Sequence, residues 1–70
     1  MPMHADKAEV SWDTSKSKWL VRIQSGDEVI RRHCDVPKSA SDQQLRDAAQ
    51  KTVRDDGYDI DPSSITVRPV

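Results

Sequence analysis

Seventy residues with 34% hydrophobic and 33% charged content, a net charge of −1 and no Phe describe one small domain that buries about 60% of its unfolded surface and has little stability to spare. One Cys excludes an internal disulfide, no Cys or His spacing suits zinc, and no apolar run approaches the roughly 20 residues that span a bilayer. These features predict a soluble, cytoplasmic domain with no cofactor, no metal and no membrane contact, and the MPMHADK start lacks the apolar run of a signal peptide.

Residues 1–7 carry no pattern and are read as a flexible N-terminal tail, leaving 8–70 as a single α+β domain. Ala8, Val10 and Trp12 alternate with Glu9, Ser11 and Asp13, the period of a half-buried strand. After the polar DTSKSK connection, Trp19, Val21 and Ile23 repeat that alternation within a second strand, Lys18 to Gln24. Pairing Trp12 with Trp19 also brings Val10 to Val21 and Ala8 to Ile23, so all six share one face.

The next turn decides the face of the third strand, because a slip of one residue inverts every side chain. A two-residue Ser25-Gly26 turn sets Val21 opposite Ile30, places Ile30, Cys34 and Val36 on the Trp face and carries Arg32 across Trp19. A three-residue loop ending in Asp27 sets Ile23 opposite Val29 and drives Arg31 and His33 into the core. The first register is preferred because the second leaves two cations to satisfy there, although in the first Ser25 sits where positive φ is disfavoured and Arg32 must lay its stem over an indole with its head in water.

Ser41 and Gln44 have the spacing of a capping box, and Gly57 is placed to end the helix as the left-handed residue after the C-cap. Between them Leu45, Ala48, Ala49, Thr52 and Val53 make one narrow apolar stripe, which needs a sheet to lie on. Asp59 to Ser64 reads as a loop with an Asp-Pro turn, and Ile65, Val67 and Arg68 as a last strand. The order is β-β-β-α-β: a three-stranded antiparallel meander, one helix on its Trp-bearing face, and a C-terminal parallel strand. That strand has two possible slots, beside strand three or beside strand one. The slot beside strand one is favoured, since it suits a right-handed crossover past the meander. Trp12, Trp19, Val21, Ile30, Leu45, Ala49, Val53 and Ile65 are the expected core.

No reaction centre can be assembled. His33 and Cys34 are strand neighbours and point to opposite faces, so they cannot act as base and nucleophile. In the acidic run from Asp55 to Asp61, Gly57 at the sixth position of a calcium loop would put Thr52, Arg54 and Ser63 at ligand positions one, three and twelve. Those are not the required carboxylates. With only Gly26 and Gly57, no glycine-rich phosphate loop can form, and so small a core has little room for a pocket.

Charge is unevenly spread: residues 14–38 hold six basic and three acidic groups, and residues 39–61 hold three basic and six acidic. The outward sheet face is expected to carry Lys18, Leu20, Arg22, Val29, Arg31, His33 and Arg68. Such a mixture of basic and apolar groups suits a solvated face, a protein contact or a phosphate backbone. Of the functional readings, a non-enzymatic protein-binding or accessory module stands first, working through Leu20, Arg22, Val29, Arg31, His33 and Arg68 or a free edge. Its partner is another protein or a second copy. Weak nucleic-acid binding is the alternative, because both Trp residues belong to the buried face and leave no stacking platform.

Overall fold

A computed structural model describes residues 3–68. Three antiparallel strands, β2 (Lys7–Asp13), β3 (Lys18–Ser25) and β4 (Glu28–Cys34), form the meander, followed by the helix α1 (Asp42–Asp55). The chain closes with β6 (Ile65–Val67), which lies parallel to β2 and gives the sheet order β4-β3-β2-β6. The slot beside the first long strand is therefore the one used.

Alternation dictates the first ladder. Ala8, Val10 and Trp12 lie opposite Ile23, Val21 and Trp19, and of these six only Trp12 is not fully buried. The two indoles meet edge to face at 5.3 Å between centroids, a favoured aromatic geometry. Trp19 Nε1 donates to the Pro37 carbonyl at 2.9 Å, which ties the segment leaving β4 to the central strand.

The second hairpin keeps the expected faces but not the expected pairing. Its turn is Gly26-Asp27, so Ile23 faces Ile30, Val21 faces Arg32 and Trp19 faces Cys34. Arg32 thus does not cross Trp19. Gly26 has φ of 60°, the conformation that glycine supplies at the first central position of a two-residue hairpin. Ser25 stays extended, donating its hydroxyl to the His4 carbonyl, while Asp6 accepts the Gly26 amide at 2.7 Å. Two residues remote in sequence thereby decide the turn.

Those contacts also correct the reading of residues 1–7 as a tail. Met3–His4 form a short strand, β1, parallel to β5 (Tyr58–Asp59), and Ala5 is fully buried. The Met3, Ala5 and Asp6 amides donate to the Gly57, Asp59 and Gln24 carbonyls, and Lys7 already belongs to β2. Met1 and Pro2 lie outside the described residues.

The helix forms as its caps dictate. Ser41 accepts the Gln44 amide and Gln44 accepts the Ser41 amide, a complete capping box. At the other end Gly57 has φ of 86°, and its amide donates to the Arg54 carbonyl, one of the two bonds of a Schellman closure. Leu45, Ala49 and Val53 bury one stripe against the sheet. Tyr58, Ile60 and Ile65 complete the core, while Trp12 and Ile30, expected to be buried, are only partly so. Ile30 sits on the sheet's outer strand, and Trp12 lies toward the sheet end, with Lys38 Nζ 5.5 Å above its ring.

Candidate functional site: the outer sheet face and the β4 edge

The helix covers one face of the sheet. On the other face Lys7, Glu9, Ser11 and Asp13 of β2, Lys18, Leu20, Arg22 and Gln24 of β3, and Val29, Arg31 and His33 of β4 are all exposed or half-exposed. Arg68, whose amide donates to the Val10 carbonyl just past β6, completes this face. All six expected site residues, Leu20, Arg22, Val29, Arg31, His33 and Arg68, are thus on one surface. Val29 is 41% exposed. Leu20 is only half-buried rather than open, because it stands on the central strand in the row shared with Ser11 and His33.

Two carboxylates on this face are already matched. Asp13 and His33 stand on the strands flanking β3, with Oδ2 and Nε2 2.9 Å apart. The hydrogen bond from His33 is the main cause that holds the Asp13 carboxyl below its usual value, with help from the Ser15 and Lys16 amides against the cost of desolvation. Glu9 pairs with Arg68, 3.3 Å from Nε. Among the described residues Lys7, Lys18, Arg22 and Arg31 have no ion-pair partner. Arg22 lies directly opposite Arg31, an arrangement that like charges disfavour.

The residues beside a two-residue turn form a hydrogen-bonded pair, and such pairs alternate with non-hydrogen-bonded ones. Counted from Ser25 and Glu28, the backbone groups of Ile30, Arg32 and Cys34 point to β3 and those of Val29, Arg31 and His33 point away. The Arg31 carbonyl accepts the guanidinium of Arg32 at 3.1 Å, as an edge-directed oxygen can. Among the described residues these three therefore turn their backbone groups to the edge, free apart from the Arg31 carbonyl, and their side chains to the outer face. Arg22 and Arg31 form a non-hydrogen-bonded pair, the kind with Cα atoms only about 4.5 Å apart. The opposite edge differs: β6 has three residues, and Arg46 donates to its Ile65 carbonyl at 2.7 Å.

On the helix side, β4 is held by polar contacts at the helix C-terminus. Arg32 Nε lies 3.2 and 3.0 Å from Oδ1 and Oδ2 of Asp56, which counters the unfavourable placing of a carboxylate there. The Tyr58 hydroxyl donates to Glu28 at 3.3 Å. Burial, with the neighbouring Glu28 carboxylate, pushes the Tyr58 phenol up. Further along the acidic run, Asp61 accepts the Ser63 amide and hydroxyl, the bonds that lower its carboxyl. Among the described residues no group of three or more His, Cys, Asp or Glu side chains is placed to share a metal ion.

His33 lies on the outer face and Cys34 on the helix side opposite Trp19. Burial pushes the Cys34 thiol up, which keeps it protonated and weakly nucleophilic.

One feature escaped the sequence reading. A cleft of about 330 Å3 opens where α1 begins, lined chiefly by Trp19, Lys38, Ala40, Leu45, Val67 and Arg68. It lies beside the core rather than within it, under the Pro37-to-Ser41 linker, whose PKSAS composition was the available signal. Its volume is at the low end for small-molecule sites. Of its charged groups, Asp42 pairs with Arg46, Arg68 pairs with Glu9, and Lys38 lies over the Trp12 ring.

Among the described residues, fold and surface together define a small α+β domain with one cation-rich sheet face that the helix does not cover and with β4 as the longer of its two edge strands. No protein-family model matches the chain, and no characterised protein or solved structure is significantly similar to it.

Proposed function

We propose that this chain is a small non-enzymatic protein-binding module that engages its partner through the outer sheet face and the β4 edge. The observation that carries the reading is that Val29, Arg31 and His33 turn their backbone groups to an edge with no neighbouring strand among the described residues and their side chains to the outer face, and that Arg31 has no ion-pair partner there. An extended partner strand satisfies such backbone groups while side-chain contacts select it. The opposed facing of His33 and Cys34 and the raised Cys34 thiol weigh against catalysis there. The free thiol of Cys34 suits a reducing compartment, and we place the module in the cytoplasm on that ground.

A benzophenone amino acid in place of Val29 tests this reading, with the same group in place of Lys51 on the exposed helix face as control. In lysate of the source organism, a discrete protein adduct formed from position 29 and not from position 51 is expected. The same adducts from both positions, or none from position 29, would refute it. The nucleic-acid reading makes a different forecast. Position 29 would capture nucleic acid, and capture would fall steeply with salt as phosphate contacts release counterions.

A further inference from the structure

We infer that the partner of the β4 edge is an extended acidic segment that adds to the sheet as a fifth strand, its outward side chains alternating carboxylate and apolar groups. The inference rests on the protein-binding reading above and specifies the chemistry of the partner. Four facts converge on it. The backbone groups of Val29, Arg31 and His33 point away from β3, so an added strand gains its ladder at these positions. Arg31 is the middle of the three, and its neighbour across the sheet is Arg22 rather than a carboxylate. Glu9 stands in the same row, opposite Arg22 and one strand away from Arg31, and is paired with Arg68, while Asp13 is paired with His33. Val29, two residues before Arg31, is 41% exposed and supplies apolar surface on the same side.

A strand laid along β4 places one side chain opposite Arg31 and its next outward side chains about two residues away, opposite Val29 and His33. A carboxylate opposite Arg31 lies within reach of its guanidinium and relieves its repulsion from Arg22, a charge-assisted contact that no described residue of this chain supplies to Arg31. An apolar side chain opposite Val29 covers its exposed surface. The Arg32 contact with the Arg31 carbonyl does not block the ladder, since a carbonyl oxygen has two lone pairs.

A second copy of this chain fits the edge less well. Full antiparallel overlap of two β4 strands sets Arg31 opposite its own counterpart and lines up four guanidiniums in one row, Arg22 and Arg31 from each copy. Shifting the register by one step keeps the two Arg31 side chains on neighbouring diagonal positions and shortens the ladder. Edge cations of this kind are a common defence against self-association.

The test uses capped nine-residue peptides whose odd positions run Glu, Val, Glu, Val, Glu, or Lys, Val, Lys, Val, Lys, with Thr between, so that one strand face alternates charged and apolar side chains, together with a twelve-residue oligothymidylate. Each is titrated into the 15N-labelled chain at moderate salt. The expected result is saturable amide shifts from the Glu/Val peptide, largest at Val29, Arg31 and His33, with exchange of those three amides slowed. Affinity should fall at least tenfold in Arg22→Gln/Arg31→Gln, and Arg31→Glu should prefer the Lys/Val peptide. Unchanged spectra elsewhere confirm that these variants fold. Equal binding of both peptides at β4 would overturn the acidic specificity while leaving the edge-binding reading intact. Binding of oligothymidylate with neither peptide would overturn both. Concentration-dependent dimerisation through β4 with no peptide binding would replace the acidic segment by a second copy.

Discussion

His33 reaches across the central strand to Asp13, with its Nε2 2.9 Å from Oδ2, while Oδ1 of the same carboxylate accepts the amides of Ser15 and Lys16. One side chain thus closes the first loop and bridges the two strands that flank β3. Because the folded-state pKa of Asp13 is lowered, its contribution to stability is full above the ordinary aspartate range and is lost as pH falls through the lower folded value. Replacing His33 with Ala should move the Asp13 titration upward toward that ordinary range. Carboxyl-carbon NMR reads this directly, and an Asp13 midpoint unmoved in the variant would mean that His33 is not the cause.

Trp19 is 2% exposed and donates to Pro37, so it combines core volume with the tie that positions the linker before the helix. Trp19→Phe should cost about 1–3 kcal/mol, by lost volume and an abandoned carbonyl. Trp19→Ala should cost about 3–5 kcal/mol, enough to leave a domain of this size largely unfolded. Urea denaturation followed by far-UV circular dichroism measures both, and a Phe variant of unchanged midpoint would count against the tie.

The two helix caps make independent forecasts. Beyond its chain neighbours no atom lies within 4 Å of a Cβ built at Gly57, whose φ is 86°, so Gly57→Ala should cost only the left-handed backbone term of about 1–2 kcal/mol. Ser41→Ala should cost about 1 kcal/mol through the lost capping box. Since the caps stand at opposite ends of the helix, the double variant should show the sum to within about 0.5 kcal/mol. A marked departure in denaturation midpoints would show that the ends are coupled.

Ala5 separates a structured N-terminal segment from a loose one. It is fully buried between the β1–β5 pair and the start of β2, so Ala5→Leu should overpack the core and cost about 1–3 kcal/mol. In a solvated tail the same change would stay within about 0.5 kcal/mol. Thermal unfolding distinguishes the two.

Where the fold was legible, the governing interactions were local or repeated. The capping box is a bond pattern between Ser41 and Gln44 at fixed offset, and Gly57 supplies a backbone conformation that other residues resist. The first hairpin was legible because both its strands alternate, so a single pairing aligns Trp12 with Trp19 and every residue behind them. The second turn was harder, since Ser25-Gly26 and Gly26-Asp27 both contain the required glycine and keep the same faces. Asp6 and His4, some twenty residues away, favour the latter. The pairing of Met3–His4 with Tyr58–Asp59 spans most of the chain with two residues on each side, too few to leave a period in the sequence. The outer-face residues were identifiable from strand parity alone. Which cations lack a partner was not, because it depends on Asp13 reaching His33 and Glu9 reaching Arg68 across strands.

The most direct test of the account is amide hydrogen exchange along β4 in the isolated protein at two concentrations tenfold apart. An open edge predicts alternation: Val29, Arg31 and His33 exchange fast, Ile30, Arg32 and Cys34 exchange slowly, and neither set changes with concentration. Uniformly slow exchange along the strand, or protection of Val29, Arg31 and His33 that grows with concentration, would contradict it, because the edge would then be covered already.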